Sequence, residues 1–345
     1  MIILGIESSC DETAAAVVTD DKKILSSVVV SQLDEHRAFG GVVPEIAARA
    51  HLEYIEDVIA KAVKDSGVSL DEIDAVCATS GPGLIGGVIV GMTSAKAISL
   101  AKQIPFVAVN HLEGHALTAR ITSDVSFPYL LLLVSGGHCQ ILIVKDVGCY
   151  ECLGETLDDA AGEAFDKVAK MMNVGYPGGV AVEKMAQKGD SKRFKLARPM
   201  KGKAGCNLSF SGLKTSVRHL IESFSEDKTL ENAKLTEQDK ADICASFQEA
   251  VCDTIINRLK KAVIIFKEQY PEGKFLVVSG GVASNLALRE ALTKLAQKNH
   301  LIFEAPPISL CTDNGVMIAW AGIERFKKGF IDNLSFKPKP RWPLF

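Results

Sequence analysis

The feature that most limits how this chain can fold is a unit that occurs twice. "LGIESSCDETAAAVV" near the start, and "LLLLVSGGHCQILIV" about a third of the chain later, each read as an apolar run, a turn of small or polar residues and a second apolar run. Such runs are too short for buried helices and are cut by Ser and Gly, so each unit predicts a strand, a turn and a strand. "AVCATSGPG" and "KFLVVSGGV" likewise leave an apolar run through glycine. Helical spacing is expected over 44–64, 87–102, 163–172, 236–270 and 314–328. Thr236 with Asp239 forms a capping box, and Gly67 and Gly329 stand at helix C-caps. Strands alternating with helices predict an α/β chain.

A hairpin heading each half predicts a duplicated architecture of two lobes. When the two turns present backbone N–H groups to nucleotide phosphates, the arrangement describes the actin, Hsp70 and sugar-kinase (ASKHA) fold, with the ligand in a cleft between lobes. The pattern also fits two ordinary hairpins in an unrelated α/β fold. Lobe I is expected over 1–109 and 326–345, and lobe II over 110–325. A locally basic insertion near 184–214 carries Lys192, Arg193, Lys195, Arg198, Lys201 and Lys203, with Phe194 and Phe210 between them. The 345 residues suffice for two domains. A net charge of -3 neither supports nor excludes nucleic acid, which needs only a local basic stripe. Nine cysteines scattered among apolar residues do not form the dense framework of a small secreted protein. Cys149 and Cys152 make a single C-x-x-C, read as incidental. No secretory or transit pattern opens the sequence, and no apolar stretch approaches the roughly 20 residues that span a bilayer. The expectation is a soluble cytoplasmic protein with no membrane association.

The sharpest chemical signal is "NHLEGHALTAR". His111 and His115 are four residues apart, so on a helix both imidazoles leave one face and could share a metal; a surface pair on a helix is the alternative. The acid between them, Glu113, is rotated off that face, so the H-E-x-x-H arrangement of a metallopeptidase is missing. Asp313 in "CTDNGVMIAW" could supply a third ligand, provided that Asn314 rather than Asp313 caps the following helix. Two imidazoles and a carboxylate with open positions suit a catalytic Fe(2+) or Zn(2+). "VSGGH", "GYPGG" and "SGGVASN" read as nucleotide contacts, because paired glycines let a backbone approach a ligand closely. Among the acids of "ETLDDAAGEAFDK", Asp166 is the best candidate for a ribose contact.

Taken together, "GIESSCDET", "GGVVPE", "TSGPGL", "NHLEGH", "LLVSGGH", "LGETLDDAAGEAFDKVAK", "YPGG", "LSFSGLKT", "SGGVASN" and "CTDNGVMIAWAG" resemble the tRNA N6-adenosine threonylcarbamoyltransferase family (TsaD), formerly called O-sialoglycoprotein endopeptidases. The motifs follow family order over almost the whole chain, and the closing "RWPL" resembles the bacterial form. The resemblance implies one divalent metal per subunit, Fe(2+) or Zn(2+), on His111, His115 and Asp313. It implies threonylcarbamoyl-AMP contacts from Leu133, Val134, Ser135, Gly136, Gly137, Asp166, Gly179 and Asn285, and from Glu183 where others carry Asp. The implied reaction passes the threonylcarbamoyl group to N6 of the adenosine 3′ to the anticodon (position 37) in tRNAs reading codons that begin with A, releasing AMP. Asp11, Glu12 and His138 are the candidates for handling the proton. Implied partners are tRNA, a TsaB-like paralogue and a TsaE-like ATPase, with a homodimer in their absence; the helix over 44–64 is the candidate paralogue surface. Lys192 to Lys203 and the tail residues Lys337, Lys339 and Arg341 are the candidate tRNA-backbone contacts. An ATP-hydrolysing or sugar-phosphorylating member of the fold is the alternative, disfavoured because "GIESSC" has Glu7 but no Gly-Ser/Thr turn.

Overall fold

A computed structural model describes every residue except Ala38 and Gly40. The chain divides into two compact units: unit 1 comprises 1–125, 146–150 and 306–345, and unit 2 comprises 126–145 and 151–305.

In unit 1 the strands are β1 (Ile2–Glu7), β2 (Glu12–Thr19), β3 (Ile24–Ser31), β4 (Ala75–Gly81) and β5 (Phe106–Asn110). They form one sheet in the order β3-β2-β1-β4-β5. The β1–β2 and β2–β3 pairs are antiparallel, whereas β1–β4 and β4–β5 are parallel, so β1, β4 and β5 end on the same edge. Between them lie α1 (Leu33–Arg37), α2 (Pro44–Ser66) and α3 (Ile85–Lys102), followed by α4 (His111–Leu117) and α5 (Ala119–Thr122). β1 and β4 are buried along almost their whole length, as strands covered on both faces are, with their polar residues gathered at the C-terminal ends. The core joins Leu4, Ile6, Val17, Val76 and Phe106 to Ile55 and Val58 of α2 and Met92 and Ala95 of α3. α3 has the length and composition of a membrane-crossing helix, but its buried residues pack on this sheet. Gly67 ends α2 at φ +74°, the left-handed C-cap expected there.

Unit 2 repeats the plan. Its strands are β6 (Tyr129–Val134), β7 (Cys139–Asp146), β8 (Cys149–Glu155), β9 (Phe275–Ser279) and β10 (Ile302–Glu304), in the order β10-β9-β6-β7-β8. The division between units falls within β7 and β8, whose 146–150 portion belongs to unit 1. β6 and β7 are antiparallel, while β6–β9 and β9–β10 are parallel. Each sheet therefore opens on a hairpin and adds two parallel strands to its first strand, and this is the duplication that the sequence echo predicts. The helices are α6 (Ala161–Met172), α7 (Gly178–Ala186), α8 (Ser211–Glu222), α9 (Glu237–Gln269) and α10 (Leu286–Lys298); α11 (Gly315–Lys327) returns to unit 1. Thr236 and Asp239 form the expected capping box at the start of α9.

The units differ from the expected lobes. His111 continues directly from β5 into α4, and the segment from 306 onward packs through α11 on β1 and β2, so both belong to unit 1 rather than to the second lobe. Nothing in the composition marks those crossings. The basic segment is also tied down rather than free. Arg193 binds Asp239 and Asp242, while Lys192 and Arg198 bind Glu249, all three acids lying on α9.

Candidate metal centre and nucleotide-binding turns

The metal candidates stand where the parallel strands of unit 1 end. Glu7 closes β1, Thr79 lies near the end of β4, and Asn110 closes β5 and caps α4 by accepting the Leu112 N–H at 2.9 Å. That cap sets the first turn of α4 so that His111 and His115 project together, with ring centroids 4.8 Å apart. Asn314 caps α11, accepting the Met317 N–H at 2.9 Å, which leaves the Asp313 carboxylate to the histidines. Asp313 Oδ1 lies 3.0 Å from His115 Nε2 and 3.5 Å from His111 Nε2. One ligand atom from each residue falls within 4.8 Å of the others. His115 is fully buried and, among the described residues, its Nδ1 has no hydrogen-bond partner.

The charge around these residues fits a divalent cation. Glu7, Asp11, Glu12 and Asp313 all act on the local titrations. Burial, followed by the charges of Asp313 and Asp11, holds Glu12 well above the ordinary carboxylate range. Burial lowers the His111 pKa, but the charges of Asp313 and Glu7 outweigh it and carry it to about 9. Such an excess of carboxylates over cations is what a metal bound to two imidazoles and a carboxylate would neutralise. Glu113 has no part in it. It is buried and accepts from Arg325 Nη1 at 2.8 Å, Tyr150 Oη at 2.8 Å and the Gly148 N–H at 2.9 Å. It anchors the 146–150 turn and α11, so the geometry of a peptidase base is absent.

Unit 2 gathers the other candidates at the ends of β6 and β9, neighbouring parallel strands in which Leu133 pairs with Ser279. Leu133 and Val134 are buried strand residues, so only their backbone can reach a ligand. The turn Ser135–His138 is closed by the Ser135 N–H on the His138 carbonyl and the His138 N–H on Ser135 Oγ. The Gly162 and Glu163 N–H groups bond the carbonyls of Ser135 and Gly136, seating α6 on the turn. Gly280, at φ +94°, lies so close to the Val134 carbonyl that a Cβ would come within 2.4 Å of it. Gly136, Gly137 and Gly179, by contrast, border open space. Asp166 accepts the Gly178 N–H at 2.8 Å, Glu183 accepts the Leu286 N–H at 2.7 Å, and Asn285 caps α10 while donating to Gln248. These three side chains thus knit α6, α7, α9 and α10 together around the turns. Of the proton-handling candidates, Asp11 and Glu12 belong to unit 1 and His138 to unit 2.

Sequence reasoning missed four supports of the candidate metal residues. Glu7, Ser9 and Thr79 surround His111 Nδ1 or its partner. The tail is the fourth: the Trp342 carbonyl accepts from Asn110 Nδ2 at 3.0 Å, beside a Lys339 N–H to Ser80 bond. Only a sheet register, which no local spacing reveals, brings these segments together.

The strand orders and the paired sheets define an α/β protein of the actin-like, two-unit class. The fold of Acidaminococcus fermentans (R)-2-hydroxyglutaryl-CoA dehydratase component A is similar, with a TM-score of 0.54 at 16% identity over 95% of this chain and 98% of that one. Within that class, residues 23–320 match the model of TsaD, tRNA N6-adenosine threonylcarbamoyltransferase. Proteins of that name from Paramagnetospirillum magneticum and Rhodospirillum rubrum are 59% and 56% identical to this chain. The first alignment covers 100% of this chain and 97% of the relative, the second 99% and 94%. The chain belongs to the tRNA N6-adenosine threonylcarbamoyltransferase family, whose members are acyltransferases that modify tRNA.

Proposed function

We propose that this chain transfers the threonylcarbamoyl group of threonylcarbamoyl-AMP to N6 of adenosine 37 in tRNAs that read codons beginning with A. The observation that carries this reading is the His111, His115 and Asp313 cluster in a chain of this family. In the reaction the N6 nitrogen bonds to the carbamoyl carbon, the bond from that carbon to the phosphate oxygen breaks, N6 loses a proton, and AMP departs. His111, His115 and Asp313 would hold Fe(2+) or Zn(2+), which when bound supplies Lewis-acid polarisation of the acyl donor. The Ser135 N–H is used within its own turn, so the Gly136 and Gly137 amides are assigned to the phosphate. Asp166, Gly179, Glu183 and Asn285 frame the nucleoside, and alignment of donor and amine supplies much of the acceleration. Asp11, Glu12 and His138 are the groups proposed to receive or relay the proton.

The cations proposed for the tRNA backbone are Lys195, Lys201, Lys203, Lys337, Lys339 and Arg341, since Lys192, Arg193 and Arg198 serve α9. A TsaB-like paralogue and a TsaE-like ATPase are proposed partners in the cytoplasm, with a homodimer in their absence. Exposed Leu52 on α2 lies on the proposed paralogue surface. In a reconstituted reaction with threonylcarbamoyl-AMP and tRNA, His111→Ala with His115→Ala is expected to abolish modified tRNA; a normal rate would overturn the catalytic reading.

A further inference from the structure

Glu7 is the least explained charge in the molecule. It is fully buried at the end of β1, and among the described residues it has no Lys or Arg salt-bridge partner. Three donors surround it. The Ser9 N–H reaches Oε1 at 2.6 Å, while the Thr79 hydroxyl at 2.5 Å and His111 Nδ1 at 3.0 Å both reach Oε2. Burying a carboxylate is costly unless hydrogen bonds and a countercharge compensate, so its partners matter. Two of those contacts have fixed direction: a backbone N–H can only donate, and an ionised carboxylate can only accept. The Nδ1 of His111 must therefore carry the proton it shares with Glu7. In the neutral ring, the form that binds a metal, Nε2, the atom 3.5 Å from Asp313, is then the nitrogen that holds the lone pair.

We propose that Glu7 is a positioning residue that locks His111 in the Nδ1–H tautomer and turns Nε2 toward the ion. The proposal rests on the reading that His111, His115 and Asp313 hold the metal. A carboxylate behind a ligating imidazole fixes ring and tautomer and raises ligand basicity. Ser9 Oγ, 3.0 Å from the same Nδ1, is a neutral hydroxyl that adapts to either state. The carboxylate alone imposes a direction.

Glu7→Gln turns this into a test with a defined atomic outcome. The Ser9 N–H still demands oxygen at the Oε1 position, so the amide NH2 occupies the Oε2 position. Thr79 can reverse its hydroxyl, but His111 Nδ1 then faces a donor, which favours the proton on Nε2, where it blocks ligation.

The test uses the full chain and zinc as the probe. Competition with a chromophoric chelator measures Zn(2+) affinity, and 15N-histidine NMR of the metal-free protein, recorded at a pH high enough to leave the His111 ring neutral, reads its tautomer. Glu7→Gln is expected to weaken zinc by roughly 10–100-fold and to shift His111 toward Nε2–H, with Thr79→Val changing affinity much less. Affinity within twofold of wild type with an unchanged tautomer overturns the role of Glu7, while the metal reading stands if His111→Ala and Asp313→Asn still lose zinc. If those two variants keep zinc as well, both readings fall. Should Glu7→Gln not fold, the wild-type spectrum decides alone: Nδ1–H supports the proposal and Nε2–H overturns it.

Discussion

The two units present opposite solutions at equivalent places, the ends of the first strand and its parallel neighbour. In unit 1 the site is built of side chains: His111, His115, Asp313 and the Glu7 behind them are buried or nearly so and dense in charge. In unit 2 it is built of backbone, with Gly136, Gly137 and Gly179 bordering open space while Asp166, Glu183 and Asn285 brace the helices. On the proposed reading, one duplicated scaffold carries a cation site made by chemistry and an anion site made by conformation. The first is destroyed by deleting atoms and the second by adding them.

The largest effect is expected in unit 1. His115→Ala or Asp313→Asn removes a ligand, so metal content should fall to background, and turnover should drop by more than the roughly 10–100-fold that outer-shell changes cause. Elemental analysis beside a turnover assay checks both. A drop in turnover with metal retained would break the comparison on this side.

Glu113→Ala comes next and acts on stability. It strands Arg325 and removes the acceptor of Tyr150 and Gly148, so about 3–5 kcal/mol should be lost in denaturant unfolding. A change below about 1 kcal/mol would show that the anchor is not needed.

In unit 2, a Cβ added at Gly136 would meet nothing within 4 Å, so Gly136→Val should leave the melting temperature unchanged. The added methyls should nevertheless raise KM for the acyl donor by roughly 10–200-fold. If stability falls and KM does not move, the turn is structural. Gly280→Ala sharpens the contrast from inside the same strand ends. Its φ of +94° and the crowding against Val134 predict a loss of about 1–3 kcal/mol. Smallest is Asn314→Ala, where losing the α11 cap should cost about 1 kcal/mol.

Much of this was legible in the sequence because it is local. The doubled hairpin, the Thr236 capping box, the i,i+4 histidines and the division of labour between Asp313 and Asn314 are all decided within a few residues. What escaped is set by register. Glu7 and His111 are 104 residues apart and meet because β1, β4 and β5 end together. The boundary after Val125 leaves no composition signal, since α4 runs straight on from β5. The basic segment looked like a free stripe because its acids lie on α9, more than 40 residues further on.

The most direct measurement is a single turnover of threonylcarbamoyl-AMP and tRNA by anaerobically purified protein, first stripped by chelator and then reloaded with iron or zinc. The account predicts that N6-threonylcarbamoyladenosine and AMP appear in equal amounts with the reloaded protein and not with the stripped one. Equal yields from both, or AMP release without modified tRNA, would contradict it.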